Sequence, residues 1–289
     1  MFNKGTELLK LCKEQNKKIP EIVIEKEMDD DNISYDELMD KMKSVLDTMT
    51  KSANTALNKE VISVSKLSGG DAKKMEDYKN KGNTISGELI NSAMAKALST
   101  SEVNASMGRI IAAPTAGASG ILPSAIITVK DKFNLSEKDM IYGLFTAAGI
   151  GEIIAKNATI SGAEGGCQAE CGAASSMAAA AIVEMVGGDA ETSLNAASFA
   201  MINIMGLICD PVAGLVEFPC ALRNASGVTN ALISADLAMA GIKSLVPFDE
   251  VIDAMYKVGK AMPEHLKETA LGGVAATPTG EKLKRKVLR

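Results

Sequence analysis

The chain has 289 residues, 46% of them hydrophobic and 23% charged, with a formal net charge of −5. That length is ample for a sizeable core, and the acidic balance excludes nucleic-acid binding driven by bulk charge. Aromatic residues make up only 3%, tryptophan is absent and there are 16 methionines. Met, Ala and Gly must therefore do much of the packing, which favours closely approaching helices.

Residues 1–79 form the charged part. "TELLKLCKEQNK" and "SYDELMDKMKSVLDTMTKSANTAL" carry apolar residues three and four apart, with Leu38, Met42, Val45 and Met49 as one stripe. This spacing predicts two helices. Ser34 followed by Glu37 predicts a capping box for the second. "EMDDDNIS" between them reads as a loop. Cys12 reads as structural, with enough exposure to be an oxidation site. The N-terminus "MFNKGTELLKLC" lacks a charged region followed by an apolar one, so no secretion signal is expected. The most apolar stretch, 196–209, is broken by Asn203 and is shorter than the roughly 20 residues that span a bilayer. A soluble cytoplasmic protein is expected, with no membrane and no nucleic-acid partner.

Beyond about Lys81 charge thins out. "SGELINSAMAKALSTSEVNASMG" reads as a helix leading to a loop. "IIAAPTAGASGILPSAIITVKDKF" reads as loop, turn and buried helix, although "AIITVK" within it is the best strand signal in the chain. Ser136 with Asp139 marks the N-cap of the next helix. "SGAEGGCQAECGAASSMAAAA" then places Cys167 and Cys171 among small residues. Such a run is either a tightly packed helix or a space for something that is not protein. The fold class expected is all-α in one domain over 1–289. Its charged helices (1–79) form an outer layer, and Gly/Ala-rich helices (80–289) form an inner one. The basic end "EKLKRKVLR" reads as a solvated helix end.

Five cysteines form an odd set, which argues against a disulfide framework and leaves metal binding, catalysis or burial. Glycine- or proline-bearing loops cover 113–123, 161–167, 209–220 and 268–280, and they allow backbone to approach a ligand closely. Cys167, Cys209 and Cys220 lie at or beside them, without the paired spacing of a zinc finger. The chain has one histidine, His265, in the polar segment "AMPEHLKET", where it reads as a solvated surface residue. Three thiolates from separate loops suit a [4Fe-4S] cluster with one open iron, and an open iron is a Lewis acid. Burial as small hydrophobic residues is the competing reading.

"SGAEGGCQAE", "CDPVAGLVEFPCALRNA" and "APTAGASGILP" resemble the α chain of the iron–sulfur-dependent L-serine dehydratases (L-serine ammonia-lyases). The likeness runs over nearly the whole chain, including "KETALGGVAATPTG". It implies an all-helical catalytic domain and a [4Fe-4S] cluster on Cys167, Cys209 and Cys220, with Cys171 a buried neighbour one turn beyond Cys167. It also implies dehydration of L-serine to pyruvate and ammonia. Thr115, Gly117, Ser119 and Gly120 are then expected to bind the substrate, and Lys156 and Ser161 to touch it as catalytic residues. A cap or turn role is the alternative for the hydroxyls. No general base stands out. The family either fuses a second domain or pairs with a separate β chain, and this chain resembles the two-chain type, so a β chain is expected to supply a histidine. No cysteine follows Cys220 to cover the open iron, so oxygen sensitivity is expected. Competing readings are β-elimination on L-cysteine or L-threonine, a pyridoxal-phosphate enzyme with a Schiff base on Lys156, a structural zinc site, and a non-catalytic helical interaction protein.

Overall fold

The structure is a computed structural model and describes residues 2–288. Among these residues there are thirteen helices and no strand, so the fold is all-α as expected. The N-terminal layer comprises α1 (Gly5–Gln15), α2 (Ile19–Asp31) and α3 (Tyr35–Thr55). α1 and α2 end at Asn16 and Asn32, each at φ 52°, the left-handed conformation that Asn adopts most readily after Gly.

α2 corrects the expectation of a loop at "EMDDDNIS", because only residues 32–34 there lie outside a helix. Pro20 stands in the first turn, where its missing N–H has no intrahelical partner to lose, and the Glu21 carboxylate accepts the Lys18 N–H. Lys26 holds the acidic end through Glu27, Asp30 and the distant Glu152. The apolar residues crowd into the first half of α2, so no helical stripe shows in the sequence. Ser34 does cap α3, accepting the Glu37 N–H. The Glu37 carboxylate pairs with Lys41 instead of closing the box.

Next come α4 (Asp71–Asn80), α5 (Gly87–Ala105), α6 (Ile121–Phe133) and α7 (Glu137–Asn157). "AIITVK" lies within α6, whose residues from Ile121 to Val129 are all buried. Burial on every side makes a helix read as a continuous apolar run. Ser136 and Asp139 form a reciprocal capping box at the start of α7. A single turn α8 (Gly162–Gly165) and a π-helical turn (Gln168–Gly172) lead into α9 (Ala173–Met185). The chain continues through α10 (Ala190–Ile204), α11 (Cys220–Met239), α12 (Phe248–Ala261) and α13 (Pro278–Val287).

Every residue of α9 is buried, between α6, α7, α10 and α11. Glycines on α7 make the approach possible. A Cβ at Gly143 would stand 2.9 Å from Met185 Cγ, and one at Gly151 3.0 Å from Met177 Sδ. Flexible methionines thus lie directly on the neighbouring backbone. Phe2, Leu8, Ile19, Leu46 and Met49 of the N-terminal layer join the same hydrophobic cluster as α9. Cys12 belongs to it too and is only 5% exposed, which corrects its reading as an oxidation site. Burial pushes its thiol up to about 11, so little of the reactive thiolate forms. α13 ends in Lys284, Arg285 and Lys286, which suit the negative end of the helix dipole. Among the described residues no helix is long and apolar enough to cross a membrane.

Candidate active site

Cys167 and Cys209 are each 3% exposed and Cys220 is half-buried. They come from the turn after α8, the loop before α11 and the first residue of α11. Burial pushes the Cys220 thiol up to about 12, and the neighbouring Cys167 adds to the effect. Cys209 is driven higher still by burial, reinforced by Cys167, Glu170 and Cys220. Cys167 moves the other way. Its sulfur lies 3.3 Å from that of Cys171, and this thiol, together with the Arg223 guanidinium, holds it below the ordinary thiol range. Cys171 is correspondingly raised, first by Cys167 and then by burial. It is the buried neighbour expected, reached through a π turn, a feature that recurs at functional sites.

Local backbone explains these positions. Gly166, at φ 76°, turns the chain into Cys167, and a Cβ there would stand 2.8 Å from the Leu207 carbonyl oxygen. Cys209 donates its N–H to Leu266 O at 2.8 Å and accepts that of Glu268 at 2.7 Å. Asp210, 2% exposed, accepts Arg223 Nη2 at 2.6 Å and the Val274 N–H at 2.6 Å. Arg223 Nη1 donates to Ile208 O at 2.9 Å. One guanidinium therefore clamps both sides of Cys209. Asn224 does the same for the loop at 113–120. Its Nδ2 donates to Gly117 O at 2.6 Å and Cys220 O at 2.9 Å, and its Oδ1 accepts the Gly120 N–H at 2.8 Å.

Glu170 faces the thiols. Its Oε1 accepts the Thr115 hydroxyl at 2.7 Å, and its Oε2 lies 4.0 Å from Cys209 Sγ. Burial holds its carboxyl above the ordinary carboxylate range. Gly162 completes the cradle, because a Cβ there would stand 2.6 Å from Glu170 Oε2 and 3.1 Å from Cys209 Sγ.

Of the residues expected to act, Thr115 and Gly117 border Glu170. Ser161, half-buried, precedes Gly162, and its N–H donates to Thr159 Oγ1 at 3.1 Å. Ser119 is 1% exposed and its hydroxyl donates to Ala116 O at 2.8 Å, so it acts as a turn cap. The Gly120 N–H is committed to Asn224. Lys156 is not brought to the cysteines. It is exposed, pairs with Glu152 at 2.6 Å and donates to Asn3 Oδ1 at 3.0 Å. His265 is exposed, as expected, on a turn at Glu264–Leu266. The sequence reading missed Glu170, Asp210, Arg223 and Asn224. A usable signal exists for two of them: Glu170 is the sole charge between Glu164 and Glu184, and Arg223 the sole charge between Glu217 and Asp236.

A single metal ion needs ligands converging at about 2.0–2.3 Å, and no three Cys, His, Asp or Glu side chains do so among the described residues. A polynuclear cluster is wider and takes its thiolates from separate points. Cys167, Cys209 and Cys220 likewise come from separate points of the chain, two of them buried and one half-buried.

The family model described as serine dehydratase alpha chain matches residues 14–275. The chain is 50% identical over 289 residues to the "L-serine dehydratase, alpha chain" of Peptoniphilus asaccharolyticus, covering 100% of this chain and 99% of that one. It is 49% identical over 287 residues to a "Probable L-serine dehydratase, alpha chain" of Bacillus subtilis (strain 168), covering 99% and 95%. An "L-serine dehydratase" of Helicobacter pylori (strain ATCC 700392 / 26695) is 38% identical over 284 residues, which are 96% of this chain but 62% of that longer protein. With its matched length and its full-length relatives in agreement, the chain belongs to the serine dehydratase alpha chain family.

Proposed function

We propose that this chain is the α chain of an L-serine dehydratase, a cytoplasmic lyase that converts L-serine to pyruvate and ammonia. The observation that carries this reading is the packing of Glu170 and Gly162 against Cys209, with Cys167 and Cys220 near enough to act on its thiol, in a chain whose relatives carry that name. The three cysteines would hold a [4Fe-4S] cluster, which when bound supplies a Lewis-acidic iron that no cysteine of the set occupies.

The remaining work falls to the chain's own groups. The Gly117 N–H has no partner among the described residues and is free to donate to the substrate carboxylate. Thr115 donates its hydroxyl hydrogen bond to Glu170, so its oxygen is left to accept from the substrate ammonium. Ser161, whose hydroxyl caps nothing in α8, offers a further polar contact. Ser119 and Gly120 shape the loop through Ala116 and Asn224. Glu170 keeps a proton more readily than an ordinary carboxylic acid. In this reading it protonates the departing β-hydroxyl as a general acid. The α-proton passes to a base on a separate β chain, in keeping with the exposed position of His265. Loss of water leaves aminoacrylate, which tautomerises and hydrolyses in solvent to pyruvate and ammonia.

Pyruvate release from L-serine by the anaerobically prepared α and β chains, each alone and mixed, tests the proposal. Activity is expected only in the mixture. Full activity of the cluster-loaded α chain alone would overturn the β-chain base, and a loaded mixture inert toward L-serine but active on L-cysteine or L-threonine would overturn the substrate.

A further inference from the structure

A second polar site lies behind the cysteine loop, where the 209–220 segment meets the start of α4 and the last turns of α5. Ser68, Gly69, Asp71, Ser101, Glu102 and Glu217 help to line a cavity of about 10 Å³ there. That is room for one water-sized occupant, which needs on the order of 10–15 Å³.

Two of the lining groups are buried carboxylates, Glu102 at 4% exposure and Glu217 at 7%. Glu102 Oε1 accepts the N–H groups of Asp71 at 2.6 Å and Ala72 at 3.0 Å, capping α4. The oxygen left for the cavity, Oε2, is buried and has no hydrogen-bond partner. Glu217 accepts the hydroxyls of Ser65 and Ser68, each at 2.7 Å. Hydroxyls satisfy its lone pairs but leave its charge uncancelled. Among the described residues no Lys, Arg or His pairs with either carboxylate. The nearby Asp71 carboxylate already pairs with Lys74 at 2.8 Å. Buried, unneutralised charge of this kind is costly unless a counter-charge joins it.

We propose that this cavity binds a monovalent alkali cation, held by the Glu102 and Glu217 carboxylates and the Ser68 and Ser101 hydroxyl oxygens. Beside the apolar Leu98, Ala105 and Ala221, every polar side chain lining it offers oxygen, which selects a hard cation. Lys74 already takes Asp71, and the α4 N–H groups offset part of the Glu102 charge, so the cavity asks for one positive charge rather than two. The N–H groups of α4 favour the ionised form of Glu102, whereas burial favours a proton on it. A proton is therefore the rival occupant. The cation would pin the cysteine loop, through Glu217, to the α4–α5 corner.

Thermal unfolding of the anaerobically purified protein in the chlorides of potassium, sodium and tetramethylammonium, at equal ionic strength, tests it. A midpoint about 2–5 °C higher, saturating with concentration, is expected in potassium or sodium. Glu102→Gln, which keeps the shape and removes the charge, should abolish the difference between cations, and Glu217→Gln should weaken it. Equal midpoints in all three chlorides for the wild-type chain would overturn the proposal and assign the cavity to a proton or a water. So would a preference that persists undiminished in both variants. If either variant fails to fold, the wild-type series alone decides.

Discussion

Replacing Arg223 by methionine removes one guanidinium from a buried pair whose side chains are 15% and 2% exposed. Asp210 Oδ1 and Ile208 O then lose their donors. Removing one partner of a buried pair costs about 3–5 kcal/mol, because a charge is left uncompensated. The Val274 N–H still reaches Asp210 Oδ2 at 2.6 Å, which places this case at the low end, about 3 kcal/mol. With an unfolding entropy of about 2.1 cal/mol/K per residue, the 289 residues give roughly 0.6 kcal/mol per degree. The melting midpoint of Arg223→Met should therefore fall by about 5 °C. Combining it with Asp210→Asn removes both charges and should recover about 1–3 kcal/mol relative to the sum of the single changes. Circular-dichroism melts of the four proteins measure both quantities. Loss of the guanidinium should also slow alkylation of Cys167, since Arg223 helps to hold that thiol low. A midpoint within about 1 °C of the parent, or strictly additive single changes, would refute the clamp.

Gly162→Ala puts a methyl 2.6 Å from Glu170 Oε2 and 3.1 Å from Cys209 Sγ. It should cost about 1–3 kcal/mol through overpacking and reduce iron uptake on reconstitution; full loading would count against the cradle. Asp189 caps α10 by accepting the Thr192 N–H at 2.8 Å, so Asp189→Ala should cost about 1 kcal/mol in urea unfolding. That N–H holds the Asp189 carboxyl low. Its contribution is thus present above the ordinary carboxylate range and lost on acidification, and the variant should lose this part of the stability–pH slope. Burial raises the Cys12 thiol from 9.0 to about 11. The folded state therefore binds this proton more tightly, and its contribution, intact below pH 9, fades as pH rises through about 11. Cys12→Val should flatten that decline, and native Cys12 should resist alkylation at neutral pH. An iron without a cysteine ligand is open to oxygen, so activity and iron content should fall together on aeration; activity that outlasts aeration with the iron retained would contradict this.

Local signals were legible where partners are close in sequence. Ser136 and Asp139 lie three residues apart and form the cap they predict. The buried helix in "IIAAPTAGASGILPSAIITVKDKF" followed from its unbroken apolar run. The cysteine loops stood out because glycines and prolines surround them. What escaped is set by partners distant in the chain. Asn224 acts on Gly117 across 107 residues, and Glu170 on Thr115 across 55; neither Asn nor Glu shows its partner in the sequence. Ser119 is ambiguous in sequence, since a loop hydroxyl reads alike whether it meets a ligand or, as here, the carbonyl three residues back. Lys156 lies near the cysteine loop in sequence, which says nothing of its direction, toward Glu152 and Asn3. α2 hid because its acidic end is held by Lys26 and not by an apolar stripe.

Iron and acid-labile sulfide, measured on anaerobically purified protein with a visible spectrum before and after L-serine, bear on the whole reading at once. A brown protein with about four irons per chain, whose spectrum L-serine perturbs, is expected. A colourless protein that takes up neither iron nor sulfide on reconstitution would contradict it and leave Cys167, Cys209 and Cys220 as small buried side chains.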